Sequence, residues 1–297
     1  MRIGIIGGGA IGLLFSTLLL EDNHEVFLYV KSADQKNTIN RKGIRRLSDS
    51  AIFFPKVELT KNLSEHDLFI NCTKQYDLQE SLIEYSNQKI NSPILFIQNG
   101  MTHVRLMDQF LNKNTVFIGI CEHGAQKKNK HEVAHTGKGS LKVSLYHGSI
   151  FSLKSIIQKL HTTIFPITLC DDLFPILHEK LLINAVVNPL TALFHVQNKE
   201  LLEDQHLLFL AKTINEEVCG VLKMNSSNSW EKVEKVIHNT GENRSSMLMD
   251  IINGRKTELE AIIGYIREKA KNENIKTPFL YFLYHAVKTL ESRNLSE

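Results

Sequence analysis

Residues 2–12, RIGIIGGGAIG, decide the fold of the first half of this chain. Arg2–Ile6 is a short apolar run that predicts a buried strand, and residues 7–12 fit the spacing G-x-G-x-x-G. An apolar stretch at 13–20 then predicts a helix, and the run EVFLYV at 25–30 predicts a second strand. Strand, glycine turn, helix and strand in this order are typical of the βαβ unit that opens a dinucleotide-binding fold.

The three spaced glycines have separate tasks in such a unit. Gly7 permits the tight turn, Gly9 lets a pyrophosphate approach the backbone, and Gly12 lets the helix pack closely on the strand. Free N–H groups and the helix dipole would hold the phosphates at the helix N-terminus. An ordinary glycine turn is the alternative, but the motif follows a strand and precedes a helix. The predicted cofactor-binding residues of the loop are Gly7, Gly8, Gly9, Ala10, Ile11 and Gly12.

The end of the second predicted strand indicates which dinucleotide is bound. An NAD site usually places Asp or Glu about 20 residues after the glycines, where the carboxylate holds the ribose hydroxyls. This chain has Lys31 there, and a cation favours the 2′-phosphate of NADPH, which a carboxylate would repel. NADPH is therefore the predicted cofactor, although Asp34 lies nearby and leaves NADH open.

More strands follow in the first half of the chain. Apolar runs predict them at 67–72, 93–98 and 115–121. Ligands of such sheets bind beyond the carboxyl ends of the strands, so Lys74 either meets the cofactor or is a plain solvated lysine. Residues 44–59 predict an extended segment outside the regular strand–helix pattern, such as a hairpin. Residues 137–139, Gly-Lys-Gly, predict a turn between two antiparallel strands.

The pattern changes after residue 170, where segments with a 3.6-residue period replace the short strands. The predicted helices cover 173–196, 201–224, 230–238, 245–252, 258–273 and 279–292. We therefore predict two domains, an α/β Rossmann-type domain at 1–170 and an all-helical domain at 171–297.

Lys180, Asn184 and Asn188 form a polar stripe on the first of these helices. Their spacing of four places them within an arc of about 80°, and every residue between them is apolar. A buried lysine has to be paired, deprotonated or directed into a cleft, because desolvating an unpaired ammonium is costly. Two amides on the same stripe favour a cleft. The alternative is a structural lysine whose stem packs and whose head reaches water.

Composition limits the class of protein. The formal net charge of +3 is small for 297 residues, so a nucleic acid partner is not expected. A membrane role is not expected either, because no uninterrupted apolar span is present. The start of the chain resembles a secretion signal, but glycines interrupt its apolar run and no small-residue cleavage site follows. The four cysteines form no close pair, which favours reduced thiols in a cytoplasmic protein.

Residues 121–145 contain four side chains that could form a metal site. Cys121, His123, His131 and His135 are all metal-ligating types. Their spacing matches no tight zinc pattern, so no metal is predicted.

Six motifs occur in a recognisable order along the chain. They are G-x-G-x-x-G at 7–12, QNG at 98–100, HGA at 123–125, K-x-x-x-N-x-x-x-N-P-L-T-A-L at 180–193, ENRSSM at 242–247 and TE at 257–258. With this set the chain resembles the 2-dehydropantoate 2-reductase (ketopantoate reductase) family in its Bacillus-like form. The resemblance covers essentially the whole chain, and the lysine–asparagine helix together with ENRSSM is specific.

The resemblance implies a function and a set of site residues. Members of this family reduce the keto group of ketopantoate with NADPH, which gives (R)-pantoate for pantothenate and coenzyme A biosynthesis. It also implies a helical domain of the kind found at the C-terminus of 6-phosphogluconate dehydrogenase. By position, Lys180 resembles the catalytic lysine and Glu258 its acidic partner. The implied substrate contacts are Asn99, Lys180, Asn184, Asn188, Asn198, Asn243, Ser246 and Glu258. The implied cofactor contacts beyond the glycine loop are Lys31, Lys74 and Asn99.

The residue types agree with this chemistry. Hydride delivery to a ketone carbon builds negative charge on the oxygen, which an ammonium can stabilise and then protonate. Glu258 could receive the hydroxyl of the substrate and help to keep Lys180 charged. From the residues alone, however, Ser245 and Ser246 also fit a helix N-cap and Glu258 a first-turn carboxylate.

Several alternatives stay open at this point. Another branched 2-keto acid could be the substrate, and a non-catalytic NADP-binding sensor would share the first domain. The family often has arginine where Lys31 stands. A lysine cannot make the two parallel hydrogen bonds that arginine makes with a phosphate, which could weaken the selectivity for NADPH. The oligomeric state is not determined by the sequence, and a homodimer is the candidate.

Overall fold

A computed structural model describes residues 1–110 and 114–294 of the chain. Backbone contacts divide the chain into two compact units. The first contains Met1–Gln98 and His103–Leu173, and the second contains Asn99–Thr102 and Phe174–Glu297. The elements confirm the predicted fold class, an α/β domain followed by a helical one.

Two sheets organise the first unit. Its strands are Arg2–Ile6 (β1), Glu25–Val30 (β2), Ile44–Arg46 (β3), Ala51–Phe53 (β4), Lys56–Leu59 (β5), Leu68–Asn71 (β6), Ile94–Phe96 (β7), Val116–Cys121 (β8), Gly124–Lys127 (β9), Glu132–Gly137 (β10), Leu141–His147 (β11) and Ile167–Leu169 (β12). Its helices are Ala10–Glu21 (α1), Ala33–Lys42 (α2), Gln75–Asn87 (α3), Thr102–Phe110 (α4) and Ile150–Leu160 (α5).

The larger sheet has the strand order β12-β11-β8-β7-β6-β1-β2-β5. β1 is parallel to both neighbours, with Ile3 opposite Val26 on one side and Leu68 on the other. Parallel strands covered on both faces read as continuous apolar runs, which is why β1 and β6 are buried almost along their whole length. Leu14 and Phe15 of α1 belong to the core that covers this sheet.

The smaller sheet has the order β4-β3-β10-β9. β3 and β4 are antiparallel, so the predicted hairpin within 44–59 is confirmed. The predicted turn between paired antiparallel strands at 137–139 is wrong. β10 pairs with β9 and β3, whereas β11 pairs with β8 and β12 of the larger sheet. A glycine-rich segment indicates a change of direction, but the partner of each strand is chosen by contacts that are distant in sequence.

Helices make up the second unit. They are Phe174–Phe194 (α6), Glu200–Glu203 (α7), Gln205–Leu222 (α8), Ser226–Asn239 (α9), Ser246–Ile252 (α10), Tyr265–Asn272 (α11) and Pro278–Asn294 (α12), with a π-helical turn at Glu260–Gly264. The predicted helix 201–224 is interrupted at Asp204, whose carboxylate caps α8 by accepting from the N–H groups of His206 and Leu207.

α6 is the central helix of this unit and packs against α8, α9, α10 and α12. Leu181, Leu182, Ala185 and Val186 are at most 1% exposed, which explains the apolar character on nearly every side. The helix continues through Pro189, whose missing N–H leaves the Ala185 carbonyl without its usual intrahelical donor. Among the described residues, no helix combines the length and apolar character that crossing a bilayer needs.

Candidate active site

The glycine loop between β1 and α1 is shaped for close backbone approach. Gly7 has a φ of 110°, and its N–H donates to the Tyr29 carbonyl of β2. A Cβ on Gly12 would stand 1.9 Å from the Gly7 carbonyl oxygen, so no side chain fits at that position. The first turn of α1 is therefore held directly against the loop, as its motif predicts.

The same loop fits the phosphates of a dinucleotide. Apart from Gly9 itself and the residues next to it in the chain, no described residue has an atom within 4 Å of the place where a Cβ on Gly9 would stand. Gly9 is also the N-cap of α1, and it has no side chain with which to cap the helix. The first turn of α1 thus has no side-chain cap for its N–H groups, and groups of this kind at a helix N-terminus bind phosphate oxygens.

Lys31, at the end of β2, is held by two carboxylates. Its Nζ lies 2.8 Å from Asp77 Oδ1 and 2.6 Å from Glu80 Oε2, both on α3. Partial burial on its own would lower the pKa of Lys31, but the hydrogen bonds to Asp77 and Glu80 raise it. Its positive charge is therefore already balanced in this structure.

Lys74 lies at the carboxyl edge of the larger sheet, as the N-cap residue of α3. Buried amides hold the chain just before it. Gln98 Nε2 donates to the backbone and side-chain oxygens of Asn71 and to the Thr73 carbonyl. The Thr73 N–H and hydroxyl both donate to Asn71 Oδ1. Lys74 is thus placed by a rigid polar network.

The polar stripe of α6 is only partly covered. Lys180 and Asn184 are half-buried, and Asn188 is 8% exposed. Within residues 1–110 and 114–294, the side-chain amides of Asn184 and Asn188 are not engaged by other side chains or the backbone, so their donors and acceptors are available to a ligand.

Asn99 and Glu258 meet in the second unit. Asn99 Nδ2 donates to Glu258 Oε2 at 3.3 Å, although 159 residues separate them. Gly100 makes this approach feasible, because its φ is 78° and a Cβ there would stand 2.4 Å from the Ala261 carbonyl oxygen. The Met101 N–H donates to that same oxygen at 3.3 Å. The QNG and TE motifs are therefore one structural feature.

A buried carboxylate fixes the backbone next to Glu258. Glu291 on α12 is 6% exposed and accepts from the Thr257 N–H at 2.8 Å and from the Thr257 hydroxyl at 2.6 Å. The Thr257 hydroxyl oxygen also accepts from the Leu259 N–H. Sequence reasoning missed Glu291, since nothing in its own surroundings marks it and its partner lies 34 residues away.

Ser245 and Ser246 have different roles. Ser245 is the N-cap of α10, and its hydroxyl accepts from the Leu248 N–H at 3.1 Å. That hydroxyl also lies 2.7 Å from the hydroxyl of Thr191, which is fully buried on α6. Ser246 is the first residue of the helix and is exposed. The N-cap alternative therefore holds for Ser245 and leaves the Ser246 hydroxyl accessible.

Asn198 and Asn243 also lie together. The Asn198 N–H donates to the Asn243 carbonyl at 3.1 Å, and Asn198 Nδ2 donates to the carbonyl and hydroxyl of Thr240. Asn198 Oδ1 is buried and accepts no hydrogen bond from the described residues. A buried acceptor without a donor is costly, so a ligand donor at this position would be stabilising.

Two of the three histidines in residues 121–145, His123 and His135, form a pair. His123 Nδ1 lies 3.2 Å from His135 Nε2, and burial followed by the charge of His135 lowers the pKa of His123. In the part of the chain that the structure describes, no group of three or more His, Cys, Asp or Glu side chains could hold a metal ion.

Sequence comparison assigns both halves of the chain. A family model described as ketopantoate reductase PanE/ApbA matches residues 3–148, and one described as ketopantoate reductase PanE/ApbA C terminal matches residues 172–291. The 2-dehydropantoate 2-reductase of Bacillus subtilis (strain 168) is 37% identical over 293 residues, which cover 98% of each chain.

Solved structures agree in fold. The crystal structure of the probable 2-dehydropantoate 2-reductase panE from Bacillus subtilis is 36% identical, with a TM-score of 0.87 and coverage of 98% of this chain and 100% of that one. D-mandelate dehydrogenase with NADH and anilino(oxo)acetate has a TM-score of 0.90 at 24% identity and covers 99% of each chain, which shows a shared fold alone.

Proposed function

The chain belongs to the ketopantoate reductase family, and we propose that it reduces the keto group of 2-dehydropantoate with NADPH, giving (R)-pantoate for pantothenate biosynthesis. The observation that carries this proposal is the stripe on α6, where a half-buried lysine and two amides share one side of the helix and all residues between them are apolar. A substrate with a carbonyl and a carboxylate requires such groups.

Lys180 is the proposed catalytic residue. When bound, NADPH supplies the hydride, and the carbonyl oxygen of the substrate gains negative charge. The Lys180 ammonium stabilises that charge and donates a proton to the oxygen, which completes the alcohol. Because the site is half-buried, the ammonium acts in a medium of lower dielectric than water, which strengthens its effect.

Glu258 is the proposed acidic partner. Its carboxylate accepts the hydrogen bond from Asn99, which orients it and leaves lone pairs for the hydroxyl of the substrate. In the proposed site this carboxylate also favours the charged form of Lys180. The remaining proposed substrate contacts are Asn99, Asn184, Asn188, Asn198, Asn243 and Ser246.

The proposed cofactor contacts are in the first half of the chain. The open backbone at Gly9 and the uncapped start of α1 support pyrophosphate binding by the loop from Gly7 to Gly12, including Gly8, Ala10 and Ile11. Lys31, Lys74 and Asn99 are the further proposed contacts. We accordingly assign cofactor binding to a domain at 1–170 and the substrate residues mainly to a domain at 171–297.

The proposal includes the cellular compartment and the oligomeric state of the protein. We assign it to the cytoplasm, which is supported by four cysteines that are all free thiols. A homodimer is the proposed assembly, since the name of a relative from Staphylococcus aureus describes a dimeric ketopantoate reductase.

The deciding experiment mixes the purified protein with NADPH and ketopantoate and follows the loss of absorbance of the reduced nicotinamide. NADH and 2-ketoisovalerate are run in parallel. Fast ketopantoate-dependent oxidation that is faster with NADPH supports the proposal. A higher kcat/KM for 2-ketoisovalerate would assign the protein to another branched 2-keto acid. NADPH binding without oxidation of either keto acid would favour the sensor.

A further inference from the structure

The predicted site for the 2′-phosphate carries less positive charge than its sequence indicates. Lys31 faces Asp77 and Glu80 within hydrogen-bond distance, so the three side chains together carry a formal charge of −1. A phosphate dianion approaching Lys31 meets two carboxylates as well as one ammonium. Another cation is needed if this end of the site is to attract the phosphate.

Lys127, the last residue of β9, provides that cation. Its Nζ donates to the Gly8 carbonyl at 2.7 Å, which places the ammonium directly on the glycine loop although 119 residues separate the two. Among the described residues, no carboxylate forms an ion pair with Lys127. Its charge is thus held in place by a neutral carbonyl and is not balanced by an anion.

The position of this ammonium corresponds to the ribose end of the loop. The Gly8 carbonyl also accepts from Gln35 Nε2 at 2.9 Å. Gln35 lies in the first turn of α2, where its N–H donates to the N-cap Ser32. Lys127 therefore stands beside the segment that follows β2, which is where this fold recognises the adenosine ribose.

A carboxylate in this segment is paired with a lysine. Asp34 is the acidic residue that kept NADH as an alternative cofactor in the sequence analysis. Its carboxylate forms an ion pair with Lys130 of the turn between β9 and β10. The Lys130 carbonyl also accepts from Gln35 Nε2 at 2.9 Å. Lys130 of the β9–β10 turn thus balances the charge of Asp34, and Lys127 at the end of β9 adds an uncompensated ammonium.

We propose that Lys127 binds the 2′-phosphate of the cofactor and is a determinant of the preference for NADPH over NADH. The inference rests on the proposed use of NADPH. Although the Lys127 side chain is exposed as a whole, its ammonium end lies against the loop. That burial, followed by the charge of Lys130, lowers the pKa of Lys127, and a bound phosphate dianion would offset both effects.

The experiment measures binding without turnover. Isothermal titration compares adenosine 2′,5′-bisphosphate with 5′-AMP, which differ only in the 2′-phosphate, for the wild type and for Lys127→Gln. The glutamine amide can still donate to the Gly8 carbonyl but carries no charge. We expect a loss of about tenfold or more in affinity for the bisphosphate, with 5′-AMP binding unchanged. Lys127→Arg, which keeps the charge, should retain the selectivity.

Lys128→Gln is the matched control, because the neighbouring lysine is exposed and contacts Glu132 only through its backbone. Equal affinities for wild type and Lys127→Gln, or an equal loss for both ligands, would overturn the inference while leaving NADPH use intact. A wild type that does not distinguish the bisphosphate from 5′-AMP would instead overturn the cofactor proposal itself. Thermal unfolding of each variant checks that it is folded.

Discussion

The Asn99 side-chain amide donates to the Glu258 carboxylate at 3.3 Å, and this contact joins two motifs that lie 159 residues apart. It depends on Gly100, whose backbone conformation and close approach to Ala261 exclude a side chain. Glu258, the proposed acidic partner of Lys180, is therefore oriented from a short segment that precedes α4.

Gly100→Ala should disrupt this contact. The new Cβ would stand 2.4 Å from the Ala261 carbonyl oxygen and would have to adopt a φ of 78°. We expect the free energy of unfolding to fall by roughly 1–3 kcal/mol, which lowers the Tm, and we expect a lower kcat. Gly220→Ala on α8 is the control, since a Cβ there would meet no described atom within 4 Å beyond the chain neighbours and the local backbone of its own helix, and it should be neutral or stabilising. A Gly100→Ala protein with normal Tm and kcat would contradict the assignment.

Lys180→Ala should abolish turnover while leaving NADPH binding nearly unchanged. Loss of a general acid typically lowers kcat by about 10²–10⁴-fold. Steady-state kinetics with ketopantoate and titration of NADPH fluorescence measure the two quantities separately. Lys235→Ala, on the exposed side of α9, is the control. An unaltered kcat in Lys180→Ala would exclude Lys180 as the proton donor.

Glu291 is predicted to be a positioning residue for Glu258. Glu291→Ala leaves the Thr257 N–H and hydroxyl without their acceptor, at a cost of about 1–3 kcal/mol for each buried donor. We expect kcat to fall more than KM rises, with partial recovery in Glu291→Gln, which keeps an oxygen acceptor. If the Tm falls equally in both variants and kcat does not change, the role of Glu291 is structural alone.

Glu80→Gln should improve NADPH binding. The substitution removes a carboxylate that lies 2.6 Å from Lys31 Nζ. Only Asp77 of this pair of carboxylates then balances the positive charge of Lys31. Because the pair is solvent-exposed, we expect a modest decrease of about two- to fivefold in KM for NADPH, with KM for NADH unchanged. Glu84→Gln, one turn further along α3, serves as the control. An equal change for both cofactors would count against the 2′-phosphate at Lys31.

Acid should destabilise the protein through two histidines. Burial lowers the pKa of His103 and of His66 from 6.5 to about 4. The folded state binds these protons less readily than the unfolded state. The stability that the two neutral histidines contribute to the folded state is therefore fully present above pH 6.5. This contribution is lost as the pH falls from 6.5 to about 4.

Urea unfolding between pH 8 and pH 4 measures this dependence. His103→Gln, which keeps an acceptor for Gln75, should flatten the curve between pH 6.5 and about 4. His147→Gln, at an exposed position of β11, should follow the wild type. Parallel curves for wild type and His103→Gln would show that His103 does not contribute to acid unfolding.

Local sequence patterns were sufficient to predict much of the secondary structure of this protein. The βαβ start, the change to helices after residue 170 and the caps at Ser32 and Ser245 depend on neighbours within a few residues. The stripe of Lys180, Asn184 and Asn188 follows from the helical period alone. The wrong prediction at 137–139 shows the limit, because a turn signal does not name the partner of the strand that follows.

What the sequence by itself determined is therefore the kind of many elements, the family and the identity of most proposed site residues. Only the tertiary structure decided which distant groups meet: Lys31 with Asp77 and Glu80, Asn99 with Glu258, Thr257 with Glu291, and Lys127 with Gly8. Periodicity and capping act within one or two turns of chain. The pairing of charges and amides depends instead on strand order and helix packing, which bring together residues that no local pattern connects.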